Sequence, residues 1–485
     1  MAIRKSIKVN AVMNAFLTVS TILFQMVTFP YVSRTLLPTG FGKISFVTSI
    51  ISYFTMFAQL GIPVYGLRAC AKIRNDKEKL TKTVQELFAI NIVMTAIAYI
   101  VLAIVVISIP KLREEKLLTA IISSSILLTS IGMEWLYKAL EQYTYITLRS
   151  IAFKALALIL TFLLVRSETD YIMFGVISIV ASSASYILNF INIRKFVGLK
   201  VVGHYNFKPH LNAVLIFFAM SCATTIYTHL DTIMLGFMKT DIDVGYYNAA
   251  VKIRTVLIHL VTSIGAVLLP RSTHYIANGM MHEFYKVTKR AINFIFVIAM
   301  PMVLYFILFA KQAIYFISGN AFAGAIIPMQ VIMPTLFLVG LTNIMGMQML
   351  VPLGREKVVL YSEIIGAAVD LILNLTLIPT MASTGAAIGT LAAEMAVLIV
   401  QYIAMRQEVK DCVRSIRYFA IIIALLVGSV SSYWVIWLNQ SDFTSLIVSS
   451  MLFFGSYFVV LLLFKEPMVK KIVNQIVVKI DARYR

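Results

Sequence analysis

Three cysteines, Cys70, Cys222 and Cys412, are all that 485 residues contain, and they stand too far apart to form a metal or redox spacing. A disulfide scaffold and a zinc module are thereby excluded. Charge is equally scarce. Asp, Glu, Lys and Arg make up 13% of the chain against 60% hydrophobic residues, and the mean hydropathy is +0.88. A soluble domain carries about 25% charged residues, so a soluble enzyme and a disordered chain are excluded too. There is no Gly-x-Ser-x-Gly elbow and no His/Cys metal cluster. The near match to a phosphate loop, Gly40-Phe41-Gly42-Lys43, fails because Leu37 stands where the first Gly belongs and Ile44 replaces Ser or Thr. ATP-driven pumping would therefore need a separate subunit. No short apolar core with a small-residue cleavage site opens the chain, so no cleavable signal peptide is expected.

What the chain has is apolar length. A bilayer span needs about 20 predominantly apolar residues. Runs between charged or Gly/Pro breaks predict an all-α integral membrane protein of fourteen transmembrane helices. The first seven lie near 11–33, 43–66, 84–109, 117–137, 144–165, 171–193 and 211–235. The second seven lie near 245–269, 291–310, 325–351, 358–378, 384–405, 417–438 and 443–464. The connecting loops are too short for a separate soluble domain.

The 42 basic and 22 acidic residues give a net charge of +20. With the N-terminus placed in the cytoplasm, 31 Lys and Arg fall on inner segments, 8 on outer ones and 3 within helices. That asymmetry follows the positive-inside rule and predicts both termini in the cytoplasm. The excess is topological, and no nucleic acid is implied. The stretch 466–485 mixes Val and Ile with Lys and Arg. It reads equally as a helix on an anionic leaflet and as a solvated basic tail.

An internal repeat is visible. Adding 203 maps Gly42 to Gly245, Ile50 to Ile253, Arg68 to Arg271, Ile73 to Ile276 and Asn75 to Asn278 without gaps. A second offset, 213, maps Leu140 to Leu353, Ile151 to Ile364, Ala155 to Ala368 and 158–160 to 371–373. Both pair the second helix with the eighth and the fifth with the eleventh. They predict two six-helix lobes in parallel orientation, 1–200 and 201–410, followed by two added helices in 411–465 and a basic cytoplasmic tail in 466–485. Parallel lobes around a central cavity suit alternating access.

Charges at membrane depth are costly and by default functional. Lys154, Lys252, Arg254, Asp370 and Glu394 fall near mid-bilayer, with Glu363 a turn or two nearer the cytoplasm. Lys252 and Arg254 point about 200° apart on a helix, so only one faces a given cavity squarely. The basic three suit an anionic cargo such as phosphate or pyrophosphate. Asp370 and Glu394 are candidates for proton or sodium coupling. The alternative is that these charges pair with one another and hold helices in register. Pro30, Pro63, Pro301 and Pro334 lie within or at the ends of spans, as bending points or static shape. Most of the 23 tyrosines read as interfacial belt.

Several motifs carry a family resemblance. Tyr31-Val-Ser-Arg34-Thr-Leu-Leu-Pro38-Thr-Gly-Phe41-Gly42 resembles the first loop of polysaccharide repeat-unit flippases. The stretches Glu134-Trp135-Leu-Tyr-Lys-Ala-Leu-Glu141 and Tyr145-Ile-Thr-Leu-Arg149-Ser150 are similar to their fourth-to-fifth helix connection. Asp231-Thr-Ile-Met-Leu-Gly236 and Val244-Gly245-Tyr246-Tyr247-Asn248-Ala249-Ala250 are similar to their seventh-to-eighth connection, and Pro270-Arg271 and Gly354-Arg355-Glu356 also fit. The likeness runs over most of 1–410. It is to a family of the multidrug/oligosaccharidyl-lipid/polysaccharide exporter superfamily.

The resemblance implies a two-lobed, fourteen-helix transporter in the bacterial cytoplasmic membrane. Its expected cargo is an undecaprenyl-pyrophosphate-linked oligosaccharide moved from inner to outer leaflet. The glycan could belong to capsule, teichoic acid, exopolysaccharide or O-antigen. A cationic cavity for the pyrophosphate is implied, and its candidate residues here are Arg34, Lys43, Arg149, Lys154, Lys252 and Arg254. Candidates for ion coupling are Asp231, Glu363, Asp370 and Glu394. No cofactor or metal is expected beyond a proton or sodium gradient. Expected partners are membrane lipids, a polysaccharide polymerase and glycosyltransferases, with the protein itself a monomer. A multidrug exporter and a lipid II flippase of the same superfamily stay open as alternatives. Residues 11–33 contain no Asp or Glu, which counts against cationic cargo. A membrane polymerase would usually show a large outer catalytic loop, and none is found, so an enzyme is not expected.

The topology predicts a labelling pattern in intact cells. In a cysteine-free background, a membrane-impermeant maleimide should modify Thr240→Cys and leave Asn75→Cys untouched. Modification at 75 from outside would overturn the orientation.

Overall fold

The structure, a computed structural model, describes residues 7–198, 200, 202–438 and 440–470. The basic stretch from Lys471 onward, three-quarters of the expected tail, lies outside the described residues. Among them every regular element is helical. The chain divides into two compact units, Met1–Gly245 and Tyr246–Arg485.

The first unit holds α1 (Ile7–Gln59), α2 (Ile62–Ile73), α3 (Lys77–Ser108), α4 (Pro110–Glu114) and α5 (Lys116–Gly132). It continues with α6 (Glu134–Ala139), α7 (Tyr143–Leu164), α8 (Tyr171–Ile179), α9 (Tyr186–Asn192) and α10 (Lys208–Met238). Helix α11 (Asp241–Ala277) runs across the division. The second unit continues with α12 (Met281–Leu308), α13 (Ala310–Ser318), α14 (Ile326–Ile332), α15 (Thr335–Thr342) and α16 (Glu356–Ala404). It closes with α17 (Arg406–Arg414), α18 (Tyr418–Tyr433) and α19 (Asp442–Leu463).

Ten helical stretches among the described residues are long and apolar enough to cross a membrane. An eleventh is added if the bent pair Asn320–Ile332 and Thr335–Leu350 is one span. The fourteen runs read from the sequence differ from this count chiefly through continuity. Val9–Ile73 and Glu356–Ala404 each run on as one stretch, of 65 and 49 residues. Straight, they would reach about 98 and 74 Å at 1.5 Å per residue, against about 30 Å of hydrocarbon. Neither is straight. Leu37 (φ 56°) interrupts α1 and Ala382 (φ 48°) interrupts α16.

Local chemistry explains where the chain bends. Pro38 has no N–H to donate and pushes the preceding Leu37 out of the helical region. Pro379 lies three residues before Ala382. A third break, between α1 and α2, falls at Leu60 (φ 46°) and Gly61 (φ 73°), with Pro63 in the first turn of α2, where a missing N–H costs nothing. A break strands carbonyls that lipid cannot satisfy, and at two helix ends a buried amide answers one. Asn91 Nδ2 donates to the Ala58 carbonyl at 2.6 Å, beside the α1–α2 break. Asn189 Nδ2 donates at 2.7 Å to the carbonyl of Gly132, the last residue of α5. Tyr137 OH in turn donates to the Asn189 carbonyl at 2.6 Å.

Outward faces are apolar. On α3, Val93, Ile97, Ile100, Ile104 and Ile107 are exposed at alternating spacings of four and three, a single helical stripe suited to lipid. Inside the second unit Tyr305, Phe309 and Phe453 form a core cluster. Tyrosine hydroxyls pin neighbouring helices there: Tyr305 donates to the Leu446 carbonyl and Tyr457 to the Val297 carbonyl, both at 2.9 Å.

Backbone-to-backbone packing joins α1 to the start of α11. A Cβ on Gly42 would lie 1.8 Å from the Asp241 carbonyl oxygen, and one on Gly245 would lie 2.2 Å from that of Pro38. These are the two glycines that the offset of 203 pairs. Gly42→Ala must push the backbones apart, a cost on the order of 1–3 kcal/mol or more. It is expected to lower the melting temperature of the detergent-purified protein by several degrees. Gly455→Ala, where a Cβ meets nothing within 4 Å, is expected to leave the melt unchanged or raise it, since Ala is the better helix former.

Candidate functional site

Within the first unit, ion pairs take up two of the expected cations, Lys43 and Arg149. Lys43 pairs with Glu115 at 2.5 Å and sits 4.9 Å above the Tyr171 ring, whose hydroxyl donates to the same carboxylate at 3.1 Å. Nearby, Lys111 pairs with Asp241 at 2.7 Å. Arg149 lies between the rings of Tyr145 and Tyr186, 5.8 and 5.2 Å from their centroids. Its guanidinium pairs with Glu134 at 3.2 Å and donates to the Ser185 carbonyl at 3.3 Å. With only 2% of its side chain exposed, Arg149 is sealed among protein groups. Glu134 also pairs with Lys138 at 2.8 Å. Breaking such a buried pair by removing one partner costs about 3–5 kcal/mol.

Lys154 is different. Its ammonium donates to the Thr21 hydroxyl, and no ion pair engages it among the described residues. It is half-buried on α7, five residues beyond Arg149 on the same span. Arg34 is exposed near the end of the first arm of α1. Asp231 is buried on α10, 4% exposed.

The second unit shows the same division of labour. Arg254 on α11 pairs with Glu394 on α16 at 3.2 Å, with side chains 13% and 7% exposed. A cation expected at the cargo and a carboxylate expected in coupling thus share one ion pair. Lys252, two residues earlier, is exposed and makes no ion pair among the described residues. Glu363 is half-exposed on the first arm of α16. Asp370, one turn before Asn374 on that arm, is 1% exposed.

The second arm of α16 folds back onto these two residues. A Cβ on Gly389 would stand 2.5 Å from Asn374 Oδ1 and 3.0 Å from Asp370 Oδ1. A Cβ on Gly385 would stand 2.5 Å from the Leu377 carbonyl oxygen. The next residue, Thr390, exchanges a hydrogen bond of 2.9 Å with Tyr247 OH. A carboxylate and a carboxamide therefore face the second arm at Gly389, next in the chain to the Thr390 hydroxyl. These hard oxygen donors suit a proton or a small cation.

Sequence reasoning did not single out Asn374 and Thr390, although a carboxamide one turn from Asp370 in an apolar run was a readable signal. Nor did it single out Glu115 as the partner of Lys43. It also passed over a buried trio at the start of α10. There His210 Nε2 meets Glu86 Oε2 at 2.8 Å and His210 Nδ1 meets Tyr65 OH at 2.7 Å. Glu86 further accepts from the Asn206 backbone N–H at 2.8 Å, tying the segment before α10 to α3.

Comparison with known proteins places the chain in a family. Residues 7–276 match the family model "Polysaccharide biosynthesis protein". A protein of Escherichia coli (strain K12) named "Putative O-antigen transporter" is 26% identical over 396 residues, which covers 80% of this chain and 94% of that one. One of the same name from Shigella dysenteriae is 24% identical over 386 residues, covering 78% and 94%. Among solved structures, the lipid II flippase MurJ in an inward closed conformation aligns with a TM-score of 0.70 at 15% identity, covering 95% of this chain and 99% of that one. An inward-facing multidrug resistance MATE family transporter of the MOP superfamily aligns with a TM-score of 0.62 at 14% identity, covering 84% and 99%. At such identities these two likenesses speak for the fold, while the family model spans more than half of the sequence. The chain belongs to the polysaccharide biosynthesis protein family, on a multi-helix membrane fold shared with flippases and exporters of the MOP superfamily.

Proposed function

We propose that the protein is a transporter, not an enzyme. In this reading it flips an oligosaccharide linked to undecaprenyl pyrophosphate from the inner to the outer leaflet of the bacterial plasma membrane. The fold works by alternating access, with fourteen spans arranged as two six-helix lobes and two added helices, and with both termini cytoplasmic. The cargo is a capsule, teichoic acid, exopolysaccharide or O-antigen precursor. Glycosyltransferases supply it and a polymerase consumes it. The names of the two curated relatives and the family description support the glycan class. The observation that carries the reading is the contrast among the cations expected at the cargo. Arg149, Arg254 and Lys43 are each answered by a carboxylate. Lys154 and Lys252, on spans read at mid-depth, make no ion pair among the described residues. An ammonium held at membrane depth without a direct ion pair is expensive, and a diphosphate cargo supplies one as it arrives.

Energy enters through an ion gradient, with Asp370 as the first candidate. Its neighbours Asn374 and Thr390 provide the oxygens that would share a proton or a sodium ion. Asp231 and Glu363 are further candidates, and Glu394 is held to Arg254.

Two sets of variants test this. Lys154→Ala and Lys252→Ala are expected to cut flipping of the lipid-linked glycan in proteoliposomes at least about tenfold, the worth of one charge-assisted contact, with unchanged melting temperature. Lys→Arg at either position should retain part of the rate. Normal flipping by both Ala variants and by their double would remove the lysines from the cargo site. Arg254→Ala, in contrast, is expected to lower the melting temperature, with Glu394→Gln restoring much of it.

Coupling has its own readout. Asp370→Asn should fold and bind cargo normally while its flipping no longer responds to an imposed proton or sodium gradient. Wild-type flipping indifferent to both gradients would refute coupling at this carboxylate.

A further inference from the structure

A second polar feature of the first unit is uncharged. A cavity of about 390 Å³ opens between the second arm of α1, α5 and α10, within the size range of small-molecule sites. Ser52, Thr55 and Gln59 line it from α1, Ser125 from α5, and Ser221 and His229 from α10. No Asp, Glu, Lys or Arg belongs to the lining. All three helices lie in stretches long and apolar enough to span a membrane, where so much polar surface needs a reason.

The hydrogen bonds of the lining define what it can recognise. Ser52 donates to the Thr48 carbonyl at 2.8 Å, Thr55 to Ile51 at 2.8 Å, Ser125 to Ile122 at 2.7 Å and Ser221 to Phe217 at 3.0 Å. A hydroxyl has one proton and two lone pairs. Each of these has spent its proton on its own helix, so what remains for a ligand is acceptor capacity. Acceptors on three helices call for a ligand rich in donors. A phosphate offers none and would want cations. An organic cation would want a carboxylate. A sugar ring fits, because every free hydroxyl is a donor, and the Gln59 amide can meet the ring's acceptors.

The floor of the cavity is built for close approach. Gly61 and Pro63, at the α1–α2 break, belong to the lining. Gly61 has φ 73°, and a Cβ there would stand 2.4 Å from the Phe218 backbone nitrogen. The wall formed by α10 therefore packs directly on the point where the other wall bends.

We propose that this cavity binds one sugar residue of the lipid-linked glycan through the lone pairs of Ser52, Thr55, Ser125 and Ser221, and so sets which glycan the protein carries. The inference rests on the flippase reading and adds a sugar subsite distinct from the lysines that answer the pyrophosphate. The test uses the full chain in nanodiscs and two probes, undecaprenyl pyrophosphate and the undecaprenyl-pyrophosphate-linked oligosaccharide extracted from the host strain. The wild type should bind the sugar-bearing lipid about tenfold tighter, the worth of one to two hydrogen bonds. Thr55→Val, and separately Ser125→Ala with Ser221→Ala, should bring the two affinities to within about threefold while leaving that of undecaprenyl pyrophosphate unchanged. Thr55→Ser, which keeps the lone pairs, should preserve the preference. A preference retained in both sets of variants would overturn the proposal, and so would an equal loss of both affinities or equal wild-type affinities. Wild-type binding of neither lipid would instead sink the flippase reading itself.

Discussion

A polar group placed in hydrocarbon must be answered from within the protein, and this constraint organises the molecule at every scale. Where α1 breaks before α2 and where α5 ends, the stranded carbonyls of Ala58 and Gly132 take hydrogen bonds from Asn91 and Asn189. Where a guanidinium is buried, Glu134 or Glu394 stands beside it. Buried tyrosines hand their hydroxyl protons to carbonyls of neighbouring helices. Against that background, groups left without an ion pair among the described residues or with idle lone pairs stand out. The functional reading follows from them.

Much of the class of fold was legible because its signal is compositional. Apolar runs, short loops and the scarcity of charge need no tertiary information, and the motifs around Arg34, Glu134–Arg149 and Asp231 pointed to the family later matched over residues 7–276. The continuity of Val9–Ile73 and Glu356–Ala404 was not legible. Loops were expected at Leu37 and Ala382, where the chain turns within one or two residues of positive φ and resumes its helix at once. Pro38 was visible in the sequence, but whether a proline kinks a helix or ends it depends on what packs around the bend.

Individual charges were located by depth, and depth alone does not reveal partners. Glu134 precedes Arg149 by fifteen residues and lies in another helix, while Glu394 is 140 residues from Arg254. Such pairings are set by the fold. Arg149 and Lys154 therefore looked alike in the sequence, although one is enclosed by a carboxylate and two aromatic rings and the other donates to a threonine hydroxyl and makes no ion pair among the described residues. The hydroxyl-lined cavity escaped notice for a related reason. Ser and Thr scattered through apolar runs read as helix packing until three helices bring them to face one space.

The central claim is that a diphosphate cargo supplies the ion-pair partner that Lys154 and Lys252 lack among the described residues. A cryo-EM structure of the full chain in nanodiscs with its lipid-linked glycan tests it most directly. The account predicts phosphate density within hydrogen-bond reach of the Lys154 or the Lys252 ammonium, with the Arg149–Glu134 and Arg254–Glu394 pairs intact. Phosphate density held by Arg149 or Arg254 in place of those carboxylates, or lying away from both lysines, would contradict it.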